Sequence, residues 1–169
     1  MLAKKRHPFI FIINVLLFLS VILLGNNGVV DFSIKNATPF FVLPLLCAFA
    51  MFNSFEGSVA AGLLSGIIID SVSVKTYCFN AIIFVVLSTF INLASNSLFN
   101  KNLKASIAVS VIVCFSYFIA YWLVFMAFGV GIENSLLYLL EYGIPSAVYS
   151  AVFVIPFYFL YRYFDKIKN

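Results

Sequence analysis

Apolar runs fill almost the whole chain, and this limits its fold more than anything else. They occupy residues 8–24, 38–52, 57–72, 77–99, 105–130 and 142–161, with only short polar stretches between them. A helix needs roughly 20 apolar residues to cross the hydrocarbon core of a bilayer, so six crossings use about 120 residues. In a chain of 169 residues the remainder makes loops and cannot hold a soluble catalytic domain. Composition agrees. Hydrophobic residues make up 64% of the chain, charged residues 9%, and the mean hydropathy is +1.12. A soluble domain is nearer 45–50% apolar and about 25% charged. A soluble globular domain, a disordered chain and a nucleic-acid-binding domain are excluded. The net charge of +4 does not restore the last of these. The basic residues lie at the chain ends and in short loops, not along a helix that reads a groove. The sequence predicts one integral membrane domain, residues 1–169, an all-α polytopic bundle of six transmembrane helices.

Charge placement orients the bundle. Lys4-Lys5-Arg6 precede the first run as in a signal peptide. No small-x-small cleavage pattern follows; the chain continues Gly25-Asn26-Asn27-Gly28, so an uncleaved span is expected. With six spans, Lys4, Lys5, Arg6, Lys101, Lys104, Arg162, Lys166 and Lys168 share one side, and Lys35 and Lys75 take the other. By the positive-inside rule both termini are cytoplasmic. Merging the second and third runs into one re-entrant element would split the basic clusters, so six spans are preferred to five.

Prolines and turns punctuate the runs. Pro39 suits the first helical turn of the second span, and Pro44 is expected to loosen its ladder by removing a donor. Only Asn53-Ser54-Phe55-Glu56 separates the second and third spans, which predicts a tight helical hairpin. Leu136-Leu137-Tyr138-Leu139-Leu140 reads as a short interfacial helix ahead of the last span. That span carries Pro145 and Pro156, which membrane helices tolerate when neighbours serve the freed carbonyls.

Polar residues inside apolar spans are costly, so their placement is informative. Ser54, Ser58, Gly62, Gly66 and Asp70 recur at steps of four. Each step drifts about 40° around a helix, giving a slanted stripe of small residues that ends in a carboxylate. Gly62-Leu63-Leu64-Ser65-Gly66 is a GxxxG motif, which lets another helix backbone approach closely. Asn80, Ser88, Asn92 and Asn96 form a matching grid on the next span. These residues are expected to face the bundle interior or a partner. Ser58, Gly62, Gly66, Asp70, Asn80, Ser88 and Asn92 are therefore the candidate helix-packing or partner interface. Packing within the chain is preferred, a partner's helix comes second and a ligand-lined wall third. Asp70 and Asn80 flank a short turn, and Asp70 is expected to accept hydrogen bonds from Asn80, with Lys75 as a charged neighbour. An isolated ionised carboxylate there would be expensive.

The residues that carry chemistry elsewhere have plain explanations. Cys47, Cys78 and Cys114 lie in or beside apolar runs with no CxxC pair, so neither a disulfide framework nor a zinc site is expected. Glu56 opens the third helix, where the helix dipole favours a carboxylate. Glu133 and Glu141 read as solvated charges, and His7 as a rim residue. Tyr117, Tyr121 and Trp122 either line a cavity or pack, with packing preferred. Tyr158, Tyr161 and Tyr163 read as an interfacial aromatic belt. Asn36-Ala37-Thr38 matches a glycosylation sequon, but it abuts the membrane. There is no Walker motif, GxSxG or HExxH, and no repeated pattern of intramembrane acids or arginines. No catalytic residue, metal ligand or cofactor is predicted, and the chain is not read as an enzyme.

One arrangement resembles a known family. Thr38-Pro39-Phe40 opens the second span. A glycine-rich third span runs from Gly57 through Gly62 and Gly66 to Asp70, and Phe79-Asn80-Ala81 follows a short turn later. This is similar to MreD, the bacterial rod shape-determining membrane protein, with the specific part lying between Thr38 and Ile82. Cys78 departs from the pattern, standing where the family often has glycine. The resemblance implies a non-enzymatic component of the cell-elongation machinery in the bacterial cytoplasmic membrane. It implies work through a bitopic MreC-like partner, and through it with the peptidoglycan polymerase and transpeptidase and with MreB filaments. It also implies a fold like the substrate-binding S subunits of energy-coupling-factor transporters. From that comes the alternative function, a membrane subunit that binds a vitamin or another small molecule.

Overall fold

The computed structural model describes residues 8–26, 33–34, 37–73, 78–97, 102–126 and 136–168. Lys4, Lys5, Arg6, His7, Lys35, Asn36, Lys75, Lys101 and Glu133 lie outside them, so the expected Asp70–Lys75 proximity and part of the charge count do too. The described residues are almost entirely helical. In chain order the helices are α1 (Pro8–Asn26), α2 (Val42–Phe52), α3 (Phe55–Val72), α4 (Phe79–Ser97), α5 (Leu103–Tyr121), α6 (Ile144–Val152) and α7 (Val154–Lys168). Two π-helical turns adjoin them: π1 (Trp122–Met126) extends α5, and π2 (Leu139–Gly143) leads into α6.

Among the described residues, four continuous helical stretches are long and apolar enough to cross a membrane: Phe55–Val72, Phe79–Asn96, Leu103–Phe125 and Leu136–Ile167. The stretches Ile13–Leu23 and Val42–Phe52 are apolar but shorter. The expected separate interfacial helix is not separate. Residues 136–140 join the last long helix through π2, because the chain there has no breaker until Pro145. A proline ring clashes with the carbonyl four residues back. The π turn relieves this by shifting the bond, so that Ile144 N donates to Leu139 O. Pro156 is absorbed differently. Phe153 N bonds Ser150 O at 3.1 Å, a tightened turn that separates α6 from α7.

Helix α2 is the centre of the molecule. It packs against α1, α3, α4, α5, α6 and α7. Val42 to Ala48, Ala50 and Met51 are buried. An apolar helix surrounded on all sides has no polar face to offer, and its sequence, VLPLLCAFAMF, has none. The expected start at residue 38 is corrected to Val42, and Pro39 lies in a non-helical lead-in. Pro44 is the third helical residue, and the first intrahelical bond runs from Leu45 N to Phe41 O. A helix's first N–H groups have no intrahelical acceptor, so Pro44 removes no bond. Phe52 and Phe49 meet Tyr158 and Tyr161 of α7 with ring centroids 5.5 and 5.6 Å apart. Those two tyrosines are buried core residues, not a belt, because their three-residue spacing aims both at α2. Tyr163, two residues on, is exposed.

Candidate functional site: side-chain caps that join the helices

An 11-residue helix spans about 17 Å, little more than half of a hydrocarbon core about 30 Å thick. Its terminal N–H and C=O groups therefore lie inside the bundle and need partners. Side chains of neighbouring helices supply them. At the leading end, Thr38 N donates to Ser146 Oγ at 3.0 Å and Phe40 N donates to Ser150 Oγ at 2.8 Å. Thr38 and Phe40 are two residues apart and Ser146 and Ser150 one helical turn apart, so the two spacings run in step. The match lets the lead-in run alongside α6 in the same direction. Ser150 in turn donates to Ser146 O at 2.6 Å.

At the far end of α2, the Asn92 amide of α4 donates to Ala50 O at 2.9 Å, Asn53 O at 3.0 Å and Ser58 Oγ at 3.2 Å. Ser95 Oγ reaches Met51 O at 3.4 Å. Asn96 Nδ2 holds Asn92 Oδ1 at 3.0 Å, which orients the amide. Asn53-Ser54 makes the whole link to α3, and Ser54 Oγ caps that helix by accepting from Gly57 N at 3.4 Å. Ser58 Oγ donates back to Ser54 O at 2.9 Å. Glu56 sits exposed in the first turn of α3.

Helices α3 and α4 form the closest pair in the bundle. Gly62 and Gly66 account for it. A Cβ on Gly62 would stand 2.6 Å from Ser88 Oγ and 2.7 Å from Phe84 O. One on Gly66 would stand 2.6 Å from both Ala81 N and Asn80 O. The stripe is therefore filled by α4 of the same chain, and Ser88 meets Gly62 there. Only hydrogen fits at these two positions.

Asp70 closes this pair at its other end. Its Oδ1 accepts from Asn80 Nδ2 at 2.8 Å and from Asn80 N at 3.2 Å, and its Oδ2 accepts from Ala81 N at 2.9 Å. Asn80 and Ala81 belong to the first turn of α4, so the last turn of α3 caps the next helix. The N-terminal end of a helix dipole favours a negative group, which stabilises the carboxylate at this depth. Tyr117 of α5 donates from its hydroxyl to Asn80 Oδ1 at 2.8 Å and brings a third helix into the chain of bonds. The Tyr117 ring stacks on Phe40 of the α2 lead-in, centroids 5.1 Å apart and 9° from parallel. Cys78, just before α4, has φ 63°, in the left-handed region that favours glycine. This explains why glycine suits that turn.

The structure thus gathers Asp70 with Asn80, Gly62 with Ser88, and Ser58 with Asn92, all along the α3–α4 seam. Four contributors were not anticipated: Ser95, Tyr117, Ser146 and Ser150. Sequence spacing gave no sign that Ser146 and Ser150 serve a segment more than a hundred residues away. Cys47 and Cys114 are buried free thiols, and Cys78 is an exposed one.

A cavity of about 280 Å³ opens between π1, π2 and the α2 lead-in. Aromatic side chains wall it: Phe118, Tyr121, Trp122, Tyr138 and Tyr142. Ser33, Thr38 and Ser146 add hydroxyls, and Leu139 and Gly143 complete the lining. Tyr117 packs, as preferred; Tyr121 packs on Phe79 and Phe125 and also lines this space with Trp122. Tyr138 and Tyr142 stack one helical turn apart, centroids 5.0 Å and planes 19° apart.

Apolar helices joined by buried side-chain caps define an integral membrane protein whose polar residues serve mainly to hold its helices together. The family described as rod shape-determining protein MreD matches residues 5–166. The chain belongs to the MreD family, whose members are structural membrane proteins with a role in rod-shape determination. No curated protein and no solved structure matches it.

Proposed function

We propose that this protein is a non-enzymatic component of the bacterial cell-elongation machinery, acting as a scaffold in the cytoplasmic membrane. In this reading it has six spans and both termini in the cytoplasm. It engages a bitopic MreC-like partner and so supports peptidoglycan synthesis at the side wall. The family match over nearly the full chain carries the reading.

Geometry supports the six-span arrangement. The lead-in runs parallel to α6, as the second and last of six spans must. Eight of the ten basic residues then fall on one side. Gly62 and Gly66 are already filled by α4, so a partner must meet another surface.

Depletion in a rod-shaped host tests the function. Depleted cells are expected to round up, and photo-crosslinkers on exposed helix faces are expected to capture a bitopic coiled-coil protein. Cells that keep their rod shape while losing uptake of one nutrient would instead establish the transport reading. Cysteine labelling from either side of the membrane, at the two chain ends and at residue 75, tests the topology.

A further inference from the structure

We propose that the cavity between the two π turns is a binding site for a single uncharged sugar ring. Both flanking helices widen to π turns, one at Trp122–Met126 and one at Leu139–Gly143. Such turns recur at functional sites because they splay a helix and re-aim its side chains. Gly143 of π2 lines the cavity and adds no side chain to it.

The lining selects the ligand. None of the described lining residues carries a formal charge. Among the described residues no opposite charge stands there to replace the hydration that an anion or a compact cation would lose. An alkyl chain would face a rim of hydroxyl groups that it cannot serve. The phenols of Tyr121, Tyr138 and Tyr142 hydrogen-bond to no described protein group, whereas Tyr117, deeper in the bundle, spends its hydroxyl on Asn80. A pyranose matches both features. Its C–H faces lie on aromatic rings, and its equatorial hydroxyls meet phenols and the Thr38 hydroxyl. A volume of about 280 Å³ is at the small end for ligand sites, suited to one ring and not to a chain of rings.

The site contains its own reporter, because Trp122 is the only tryptophan in the chain. The test uses the full-length protein in lipid nanodiscs free of glycoside detergent. Methyl glucoside and N-acetylglucosamine are titrated while Trp122 emission is followed. Saturation-transfer NMR on the sugar protons gives a second readout that needs no tryptophan. A saturable emission change with transfer to the sugar is expected. Tyr142→Ala, at an exposed position, should weaken binding about tenfold, near the upper range of one aromatic contact. Tyr142→Phe, which keeps the ring, should weaken it less. Nanodiscs with monoglucosyl diacylglycerol distinguish a glycolipid headgroup from a free sugar. An emission shift that this lipid causes and methyl glucoside reverses supports the site with the lipid as its source. The absence of saturable sugar binding overturns the proposal. So does an equal response to choline, which ring faces alone can hold, or to diacylglycerol without sugar.

Discussion

Removing the Asp70 carboxylate tests the central structural claim, that α3 caps α4 across the turn. Asp70→Ala deletes three hydrogen bonds and leaves Asn80 N and Ala81 N without the acceptor they now have. Losing a helix cap costs about 0.5–2 kcal/mol, and the dipole interaction adds about 0.3–1 kcal/mol. Asp70 is half-buried, so full low-dielectric values do not apply, and the terms overlap. A net loss of about 1–2 kcal/mol is expected. Asp70→Asn keeps one acceptor oxygen but turns an amide N–H₂ toward one of the donors, and should cost about 1–2 kcal/mol.

The sharper measurement is the coupling with Asn80→Ala. The two side chains share one charge-assisted bond of 2.8 Å. The double variant should therefore be less destabilised than the sum of the singles by about 1 kcal/mol. Unfolding in mixed micelles of mild detergent and dodecyl sulfate, followed by Trp122 fluorescence, measures all four corners of the cycle. Additivity within about 0.3–0.5 kcal/mol would refute the pairing. A further cycle of Asn80→Ala with Tyr117→Phe asks whether the bond to α5 belongs to the same unit.

Three other outcomes follow from named contacts. Gly66→Ala should destabilise the protein by about 1–3 kcal/mol, because the clash is with backbone of α4 that cannot swing aside. Leu64→Ala, at an exposed position on the same helix, should have little effect in the same thermal assay. Cys78→Gly should stabilise by about 1 kcal/mol, since it removes the left-handed penalty at φ 63°, and a lower melting temperature would contradict that. Ser150→Ala should leave Phe40 N unserved at a cost of about 1–3 kcal/mol and speed amide hydrogen exchange at Phe40.

The α3–α4 seam was legible because helical periodicity alone aligns Ser58, Gly62, Gly66 and Asp70, and a short turn must return Asn80 to the neighbourhood of Asp70. The two ends of α2 were not. Asn92 capping Ala50, and Ser146 and Ser150 serving Thr38 and Phe40, join segments about 40 and 110 positions apart. No local pattern encodes which serine meets which amide. Tyr158 and Tyr161 show the same limit. Aromatic residues near a chain end suit a membrane interface, yet contact with Phe52 and Phe49 buries them.

The sequence by itself determined the solvent. Too few charges and too many apolar residues leave a lipid bilayer as the only medium in which this chain can fold. It also determined the helical period, the close approach at Gly62 and Gly66, and the position of the one carboxylate in the glycine-rich span. Only the tertiary structure decided that α2 is a half-length helix at the centre of the bundle, because the length of a buried helix depends on who serves its ends. The tertiary structure also decided that the end of α5 and the π2 turn leave an aromatic-walled space between them. Hydropathy cannot report that outcome, since it records how apolar a residue is and not what stands opposite it.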